Sequence, residues 1–262
     1  MADQVIRFED GAAYERMMGI WSRLAGSVFL DWISAPARLH WLDVGCGNGA
    51  FTAMLYERCA PAAVTGVDPS AGQLDYARKR ADTPSANYLQ GDAMALPVAD
   101  RMFDAAVMAL ALFFVPDPER GVAELKRATK PGALIAAYNW DIPGGGFPLA
   151  PLGREMKEMG FPSPLPPSVD TARAERMREL WEGAGFTGVE TRRIEVQRTF
   201  DSFEEWWSIC LLSPSAGPRI REQTNEVQAD LKERLRKKVV ADAQGRLTLG
   251  AWANAVKGRR RS

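Results

Sequence analysis

A segment in which short apolar runs alternate with helical patterns, residues 41–139, restricts the possible folds more than any other feature of the chain. The apolar runs that we predict as strands are residues 42–44, 64–67, 88–89, 105–112 and 134–138. Strands separated by helices pair in parallel through right-handed crossovers, and the helices cover both faces of the sheet. The sequence therefore predicts an α/β fold, doubly wound around a mostly parallel sheet.

Two of the intervening helices have local start signals. Ser70 is followed three residues later by Gln73, the spacing of a capping box, so a helix is predicted to begin near Ala71. Asp117 followed by Pro118 is typical of an N-cap and a first helical residue. Both helix starts are thus predicted from local chemistry.

The regions on either side of this segment lack its regular alternation of apolar runs and helical patterns. Before it, apolar residues close to a helical stripe predict a helix that either packs on the domain, which is the default, or covers a site: Tyr14, Met17, Met18, Trp21 and Leu24. After it, prolines and glycines predict an irregular insertion up to residue 167, and the basic residues 257–261 predict a solvated tail. Between these two regions we predict helices at residues 174–185, 203–212 and 219–240, and strands at residues 189–198 and 246–255.

These patterns predict one domain over residues 1–262, and we find no internal repeat or low-complexity block that would divide it further. Its predicted segments are an N-terminal helical lead or cap (1–38), a core (39–141), a Pro- and Gly-rich lid insertion (142–172) and the C-terminal half of the sheet (173–262) with a helical insertion at about residues 203–240.

A glycine-rich turn, Asp-Val-Gly-Cys-Gly-Asn-Gly at residues 43–49, lies where the first predicted strand gives way to a helix. Glycines let a backbone turn sharply and approach a ligand without a Cβ clash, and the start of the helix offers unpaired N–H groups. Asp68 follows the next predicted strand, 19 residues after Gly49. That spacing is close to the roughly 20 residues at which a carboxylate binds ribose hydroxyls. Together these features indicate a nucleoside-containing cofactor.

Two further carboxylates favour one class of nucleoside cofactor. Asp43 stands two residues before Gly45, where a carboxylate would repel a pyrophosphate but would suit an ammonium group. Asp92, in Gly91-Asp92-Ala93 after the third predicted strand, is placed to accept a hydrogen bond from an exocyclic adenine amine. An adenosine that carries an amino acid is therefore favoured over a dinucleotide.

Charge and residue counts exclude several other classes of protein. Lys and Arg total 33 and Asp and Glu total 33, so the formal net charge is zero and neither nucleic acid nor membrane is a predicted partner. No apolar run reaches the roughly 18 residues of a spanning helix, and the first residues lack a signal-peptide pattern, so we expect a cytoplasmic protein. His40 is the only histidine and no cysteines form a C-x-x-C pair, so no metal site is predicted.

Seven short elements occur in the order and spacing of a known family. They are residues 43–49, Gly66-Val67-Asp68-Pro69-Ser70, Gly91-Asp92-Ala93, Leu96-Pro97, Phe103-Asp104, Val115-Pro116-Asp117-Pro118 and Lys130-Pro131-Gly132. Through them, residues 41–141 resemble the class I S-adenosylmethionine-dependent methyltransferases, in the small-molecule branch similar to the ubiquinone and menaquinone biosynthesis type. The resemblance implies a Rossmann-like sheet of seven strands in the order 3-2-1-4-5-7-6, with strand 7 antiparallel.

The resemblance also implies S-adenosylmethionine as the cofactor, S-adenosylhomocysteine as its product, and a mode of binding. The glycine turn would lie against the methionine part, Asp68 would hold both ribose hydroxyls, and Asp92 would meet adenine N6 with the Ala93 N–H near N1. The full set of predicted cofactor-binding residues is Asp43, Gly45, Cys46, Gly47, Asn48, Gly49, Asp68, Pro69, Gln73, Asp92, Ala93, Met94 and Ala109.

Two departures from the family pattern bear on the methyl acceptor. The family often carries histidines after the fourth strand, whereas residues 111–115 here read Ala-Leu-Phe-Phe-Val, and Phe113 suggests an apolar pocket wall. The Asn-Pro-Pro-aromatic motif of enzymes that methylate amino groups of DNA bases and glutamine is absent. The candidates for a general base or an orienting group are therefore Tyr14, Tyr138 and Asp141.

These observations predict an enzyme that transfers a methyl group to an O, N or C nucleophile of a small-molecule acceptor by in-line displacement. Two alternatives stay open. A non-catalytic sensor or partner subunit that binds S-adenosylmethionine would use the same cofactor residues. An NAD-dependent oxidoreductase shares the glycine turn and Asp68, but leaves Asp43 and Asp92 without a role.

Overall fold

The computed structural model describes residues 15–261. Within that range the strands form a single sheet in the order β3-β2-β1-β4-β5-β7-β6. They are His40–Val44 (β1), Ala63–Asp68 (β2), Asn87–Gln90 (β3), Phe103–Ala109 (β4), Thr129–Trp140 (β5), Thr187–Phe200 (β6) and Leu247–Arg259 (β7). The five strands from β1 to β5 pair in parallel, whereas β7 runs antiparallel to both β5 and β6. The predicted α/β class, strand order and antiparallel strand 7 are confirmed.

Helices fill both faces of the sheet. In the described residues they are Ile20–Ile33 (α1), Ala50–Cys59 (α2), Ala71–Ala77 (α3), Pro118–Ala128 (α4), Ala150–Glu158 (α5), Ala174–Gly183 (α6), Phe203–Cys210 (α7), Ala216–Arg221 (α8) and Asn225–Lys238 (α9), with short 3₁₀ turns at Leu112–Phe114 and Val169–Ala172 and a π-helical turn at Glu15–Gly19 before α1. The two predicted caps are confirmed: Ser70 Oγ accepts from the Gln73 N–H at 3.3 Å, and Asp117 Oδ1 accepts from the Arg120 N–H at 3.0 Å.

Two apolar cores lie on opposite faces of the sheet, because successive side chains of a strand point to opposite sides. On β1, Trp41 joins the core that contains Trp21 of α1, while Leu42 joins the core that contains Trp181 of α6. All four of these side chains are almost completely buried. The central parallel strands β1, β2 and β4 are therefore covered on both faces, which explains why their segments read as continuous apolar runs.

The fourth predicted strand is shorter than its apolar pattern suggested. β4 ends at Ala109, and the next residue, Leu110, has a φ of +57°, in the left-handed region that breaks a strand. The chain then forms the 3₁₀ turn Leu112–Phe114. The apolar run continues past the end of β4 because the residues that follow the strand are also buried, in a turn. The apolar pattern therefore did not show where the strand ends.

Two expectations for the C-terminal region were wrong. The insertion predicted as irregular contains the helix α5, whose residues Leu152 and Met156 are buried in the core. The single charged helix expected at residues 219–240 is two helices, because the Thr224 hydroxyl caps a new start by accepting from the Val227 N–H at 3.4 Å. Local polarity did not reveal either feature.

The basic tail is solvated only in part: Arg259 and Arg261 are exposed, whereas Lys257 and Arg260 are half-buried. Lys257 belongs to β7, where its ammonium group lies 4.7 Å from the centre of the Trp32 ring and 3.4 Å from a carboxylate oxygen of Glu190. Arg260 donates to the carbonyl of Lys126 at 2.6 Å. These two positive charges therefore attach the last strand to its surroundings. No helix between residues 15 and 261 is long and apolar enough to cross a membrane.

Candidate active site

A cavity of ≈ 1320 Å³ opens at the edge of the sheet where β1, β2, β4 and β5 end. The parallel register brings these ends together: Val44 pairs with Val67, and Ala109 pairs with Tyr138. Ligands of doubly wound sheets bind at this edge. Most of the predicted cofactor residues line the cavity: Gly45, Cys46, Gly47, Asn48, Asp68, Pro69, Gln73, Asp92, Ala93, Met94 and Ala109.

The glycine turn forms one wall of the cavity. Gly45 and Gly47 have φ values of +74° and +51°, which side-chain-bearing residues rarely adopt. A Cβ at Gly45 would lie 2.4 Å from the Cβ of Ala111, so the turn and the segment after β4 are packed too closely for any side chain there. Gly49, by contrast, is the N-cap of α2 and does not line the cavity.

Asp68 stands at the end of β2 and its carboxylate is held by two backbone N–H groups. Gly47 donates to one oxygen and Ser70 to the other, both at 2.9 Å. Burial, to 9% exposure, raises the pKa of Asp68, while the two N–H groups act in the opposite direction. The carboxylate is therefore fixed in direction and connects the glycine turn to the second strand.

Asp92 lies on the same wall, beyond β3. Its Oδ1 accepts from the Met94 N–H at 2.8 Å, which orders the turn that presents Ala93 and Met94 to the cavity. The side chain of Asp92 is exposed at the cavity rim. The two acids thus occupy the ends of neighbouring strands, as their spacing in the sequence indicated.

The structure does not bring Asp43 to the cavity wall. Its side chain is completely buried below the turn, and its Oδ2 accepts from the Thr52 hydroxyl at 2.7 Å. Its Oδ1 has no hydrogen-bond partner among residues 15–261. Burial raises the pKa of Asp43 to about 7, and the nearby charge of Asp68 adds to the shift. The structure does not support the expected direct contact between this carboxylate and a ligand ammonium: Asp43 instead accepts a hydrogen bond from Thr52 on α2.

Of the two candidate bases within the described residues, only Tyr138 reaches the cavity. Its ring is 1% exposed and packs 4.6 Å from the ring of Phe29 and 6.0 Å from that of Phe51, measured between centroids. Asp141 lies outside the cavity lining, where it accepts from the Trp252 indole N–H at 3.1 Å and from the Gly144 N–H at 2.9 Å. Tyr14 lies outside the described residues.

Several cavity residues were not foreseen from the sequence. They come from α1 and the turn before it, from α2, and from the segments after β4 and α5: Glu15, Gly19, Ser22, Arg23, Phe51, Met54, Leu110, Phe114, Leu165 and Pro167. Phe114, rather than the expected Phe113, faces the cavity, and Phe113 is buried beside it. Only the helical stripe around Trp21 hinted that α1 packs here, and it did not tell which flank of the helix faces the cavity.

One polar contact closes the glycine turn against the N-terminal helix. The Asn48 side-chain amide donates to Glu15 at 2.9 Å, and the same carboxylate lies 3.9 Å from the Arg80 guanidinium. All three residues line the cavity. The π-helical turn before α1 is therefore attached directly to the predicted cofactor loop, which no sequence pattern indicated.

Comparison with known proteins agrees with this geometry. The family model described as "Methyltransferase domain" matches residues 42–137. The chain is 37% identical over 130 residues to malonyl-[acyl-carrier protein] O-methyltransferase of Pectobacterium atrosepticum, covering 47% of this chain and 50% of that protein. It is 32% identical over 126 residues to 2-phytyl-1,4-naphtoquinone methyltransferase of Thermosynechococcus vestitus, covering 47% of this chain and 54% of that one. The chain thus spans about half the length of these relatives.

A solved structure extends the fold similarity to the whole chain. Phosphoethanolamine N-methyltransferase 2 of Haemonchus contortus, in complex with S-adenosyl-L-methionine, superposes with a TM-score of 0.58 over 99% of this chain and 59% of that one, at 18% identity. At this identity the likeness concerns the fold alone.

Proposed function

We propose that the chain transfers the methyl group of S-adenosylmethionine to a small-molecule acceptor, because residues 42–137 match the family model described as "Methyltransferase domain". One observation carries the proposal: a single cavity contains the glycine turn and both strand-end acids, and continues past them into an apolar space. Its volume of ≈ 1320 Å³ exceeds the ordinary range of roughly 300–1,000 Å³ for a single ligand. There is room for a cofactor and an acceptor side by side.

The residues of the turn fit the proposed cofactor. A carboxylate offers about four acceptor sites, and the two backbone N–H groups on Asp68 occupy one on each oxygen. The remaining sites are available to the two ribose hydroxyls. Gly47 leaves open space above the turn, since the nearest atom to a Cβ placed there would be Gln73 Oε1 at 3.9 Å. Asp92 at the rim would accept from the adenine amine.

When bound, S-adenosylmethionine supplies a methyl group on a sulfonium, which is already activated for displacement. The task of the protein is then to orient two ligands and exclude water, and such positioning lowers a barrier by roughly 7–11 kcal/mol. Phe51, Met54 and Leu110 supply apolar surface beyond the turn, and Leu165 and Pro167 border the opening. These walls suit an acceptor that is itself largely apolar.

We propose Tyr138 as a positioning residue for the acceptor. Of the two candidates within residues 15–261 it is the one that lines the cavity, it stands near the end of β5, and its ring is fixed between two phenylalanines. Tyr138→Phe keeps the ring and removes the hydroxyl. We expect this variant to raise KM for the acceptor while leaving the affinity for S-adenosylmethionine unchanged, whereas an unchanged KM would remove Tyr138 from the acceptor site.

Calorimetric titration with S-adenosylmethionine, S-adenosylhomocysteine and NAD tests the cofactor assignment first. We expect micromolar affinity for the first two ligands and none for NAD. Transfer of a radiolabelled methyl group is then measured across phenols, hydroxy acids, thiols and amines. Binding without transfer to any of them would favour the non-catalytic sensor or partner subunit, and binding of NAD alone would revive the oxidoreductase.

A further inference from the structure

The cavity extends well past the residues that would hold the cofactor. One face of α2 lines it with Ala50, Phe51 and Met54, and Met54 lies five residues beyond Gly49. At 1.5 Å per residue, that places Met54 about 7 Å along the helix from the glycine turn. Tyr138 lines the cavity at the end of β5. We call the space bounded by Phe51, Met54, Leu110 and Tyr138 the distal chamber.

A glycine on α1 stands directly behind two walls of the distal chamber. Gly26 is buried in the middle of α1. A Cβ built on it would lie 2.9 Å from Met54 Sδ, 3.1 Å from Met54 Cε and 3.2 Å from the Tyr138 hydroxyl. Glycine is the least favourable residue after proline inside a helix, so its place here calls for a packing reason. The close approach of these two side chains is that reason.

We propose that Gly26 determines acceptor size: the absence of a side chain there lets Met54 and Tyr138 withdraw towards α1, which makes the distal chamber deep enough for apolar acceptors larger than one ring. This inference rests on the proposed methyl transfer for the identity of the ligand, but not for the shape of the chamber. Gly26 does not itself line the cavity. It is a positioning residue that acts through the two side chains in front of it.

An alanine at this position must displace one of its two neighbours, and the structure indicates which one. The Tyr138 ring is held between Phe29 at 4.6 Å and Phe51 at 6.0 Å. The thioether of Met54 is the far end of an unbranched side chain, which adapts readily to its surroundings. Met54 therefore gives way, and with α1 behind it, it moves into the chamber. The expected result is a folded protein with a shallower chamber.

A second glycine provides a matched control. Gly153 also lies inside a helix, α5, but no atom among the described residues lies within 4 Å of a Cβ placed there. Gly153→Ala makes the same chemical change, with the same gain in helix propensity, without displacing a neighbour. Differences between the Gly26→Ala and Gly153→Ala variants therefore report the packing behind the chamber and not the loss of a glycine.

The test measures binding rather than turnover. Phenol, 2-naphthol and 9-phenanthrol, planar alcohols of one, two and three rings, are titrated calorimetrically into the protein with saturating S-adenosylhomocysteine. We expect Gly26→Ala to weaken 9-phenanthrol at least tenfold and phenol less than twofold. Gly153→Ala should change neither, and both variants should bind S-adenosylhomocysteine as the wild type does.

A second substitution tests the route of the effect. In Gly26→Ala/Met54→Ala the displaced thioether is gone, and we expect the affinity for 9-phenanthrol to return to within threefold of that of Met54→Ala alone. The inference would be overturned if Gly26→Ala weakened the binding of all three alcohols equally or did not weaken the binding of 9-phenanthrol. It would also be overturned if the second substitution did not restore affinity, or if the wild type bound none of the alcohols.

Failure of the proposed function is recognised separately. A wild type that does not bind S-adenosylhomocysteine contradicts the cofactor assignment whatever the alcohols do. The same alcohol titrations on the ligand-free protein then test the shape of the distal chamber. A loss of affinity in Gly26→Ala that grows with the number of rings supports the proposed shape, and a uniform or absent loss of affinity refutes it.

Discussion

Residues 40–140 and residues 141–261 contribute strands to the same sheet, but their structures could be predicted from the sequence to different extents. In the first half, the caps at Ser70 and Asp117 and the glycine turn are where local patterns put them. In the second half, an entire helix lies inside a segment that read as irregular, and one expected helix is two. The caps and the turn of the first half are determined by residues close together in the sequence. The helices of the second half depend on contacts with residues far away in the sequence.

The clearest case of a distant partner is the carboxylate of Glu155 on α5. It is 1% exposed, and it is bound by Lys238 at 2.5 Å and by Arg234 at 3.5 Å, both on α9. The two helices are about 80 residues apart in sequence. An acid on an amphipathic helix ordinarily faces water, so no pattern within α5 predicts that this one is enclosed. The ion pairs hold the inserted helix to the rest of the C-terminal half.

The largest expected effect tests whether the glycine turn is as closely constrained as its geometry indicates. Gly45→Ala places a Cβ 2.4 Å from that of Ala111 and also strains a backbone at φ +74°. The left-handed backbone costs about 1–2 kcal/mol and overpacking adds about 1–3 kcal/mol. We therefore expect urea unfolding to show a loss of about 2–5 kcal/mol, together with loss of cofactor binding.

Gly132→Ala is the control for Gly45→Ala. Gly132 has a φ of +80°, but no described atom lies within 4 Å of its Cβ position, so only the backbone cost of about 1–2 kcal/mol applies. Ala111→Gly should recover part of the Gly45→Ala loss and none of the Gly132→Ala loss. Equal losses in the two alanine variants would show that the contact with Ala111 is unimportant.

The next effect concerns the carboxylate that joins the turn to β2. Asp68→Ala removes the proposed acceptor of two ribose hydroxyls, and hydrogen bonds to a charged group contribute about 1.5–3 kcal/mol each. For two such bonds we expect calorimetry to show an affinity for S-adenosylmethionine that is about a hundredfold to ten-thousandfold weaker. Asp141→Ala, which removes an acid that bonds Trp252 outside the cavity, should leave that affinity within twofold. An unaltered affinity in Asp68→Ala would contradict the cofactor site.

A smaller effect is expected from the ion pairs of the second half. Glu155→Ala removes a buried side chain and its bonds to α9, and we expect a loss of about 1–2 kcal/mol in urea unfolding. Affinity for S-adenosylmethionine should not change. Glu158, which is exposed and pairs with the same Lys238 at 2.9 Å, provides the matched variant Glu158→Ala, for which we expect almost no loss. If both variants behaved alike, burial of Glu155 would not matter.

The last effect depends on pH and is expected at Asp43. The pKa of about 7 in the folded protein lies above the ordinary value of 3.8, so the folded state binds an extra proton between these values. Stability contributed by this group therefore falls as pH rises from about 4 to 7. Asp43→Asn does not titrate, and urea unfolding at pH 5, 6, 7 and 8 should show the wild type losing stability relative to the variant. Parallel profiles would show that Asp43 is charged throughout.

In the site, as in the fold, features that depend on residues close in sequence were predicted, and features that depend on distant contacts were not. Asp68 and Asp92 were found because parallel strands end at one edge, so spacing alone brings their acids together. The role of Asp43 could not be found, because whether a strand-end carboxylate faces a ligand or lies under the turn depends on Thr52 on the following helix. The proposed role of Gly26 could not be predicted from the residues next to it in the sequence, because it depends on close contacts with Met54 and Tyr138.

The order of the strands was implied by the resemblance to a known family. The sequence by itself determined the α/β class, two helix caps and the wall of the cavity that is made from the glycine turn and the strand-end acids. Each of these depends on residues within a few positions of one another or on the repeating alternation of strands and helices. Only the tertiary structure decided the rest of the cavity: which flank of α1 faces it, where α5 lies, and how deep the distal chamber is. These depend on contacts between side chains from distant segments, such as Asn48 with Glu15 and Gly26 with Met54, which no local pattern specifies.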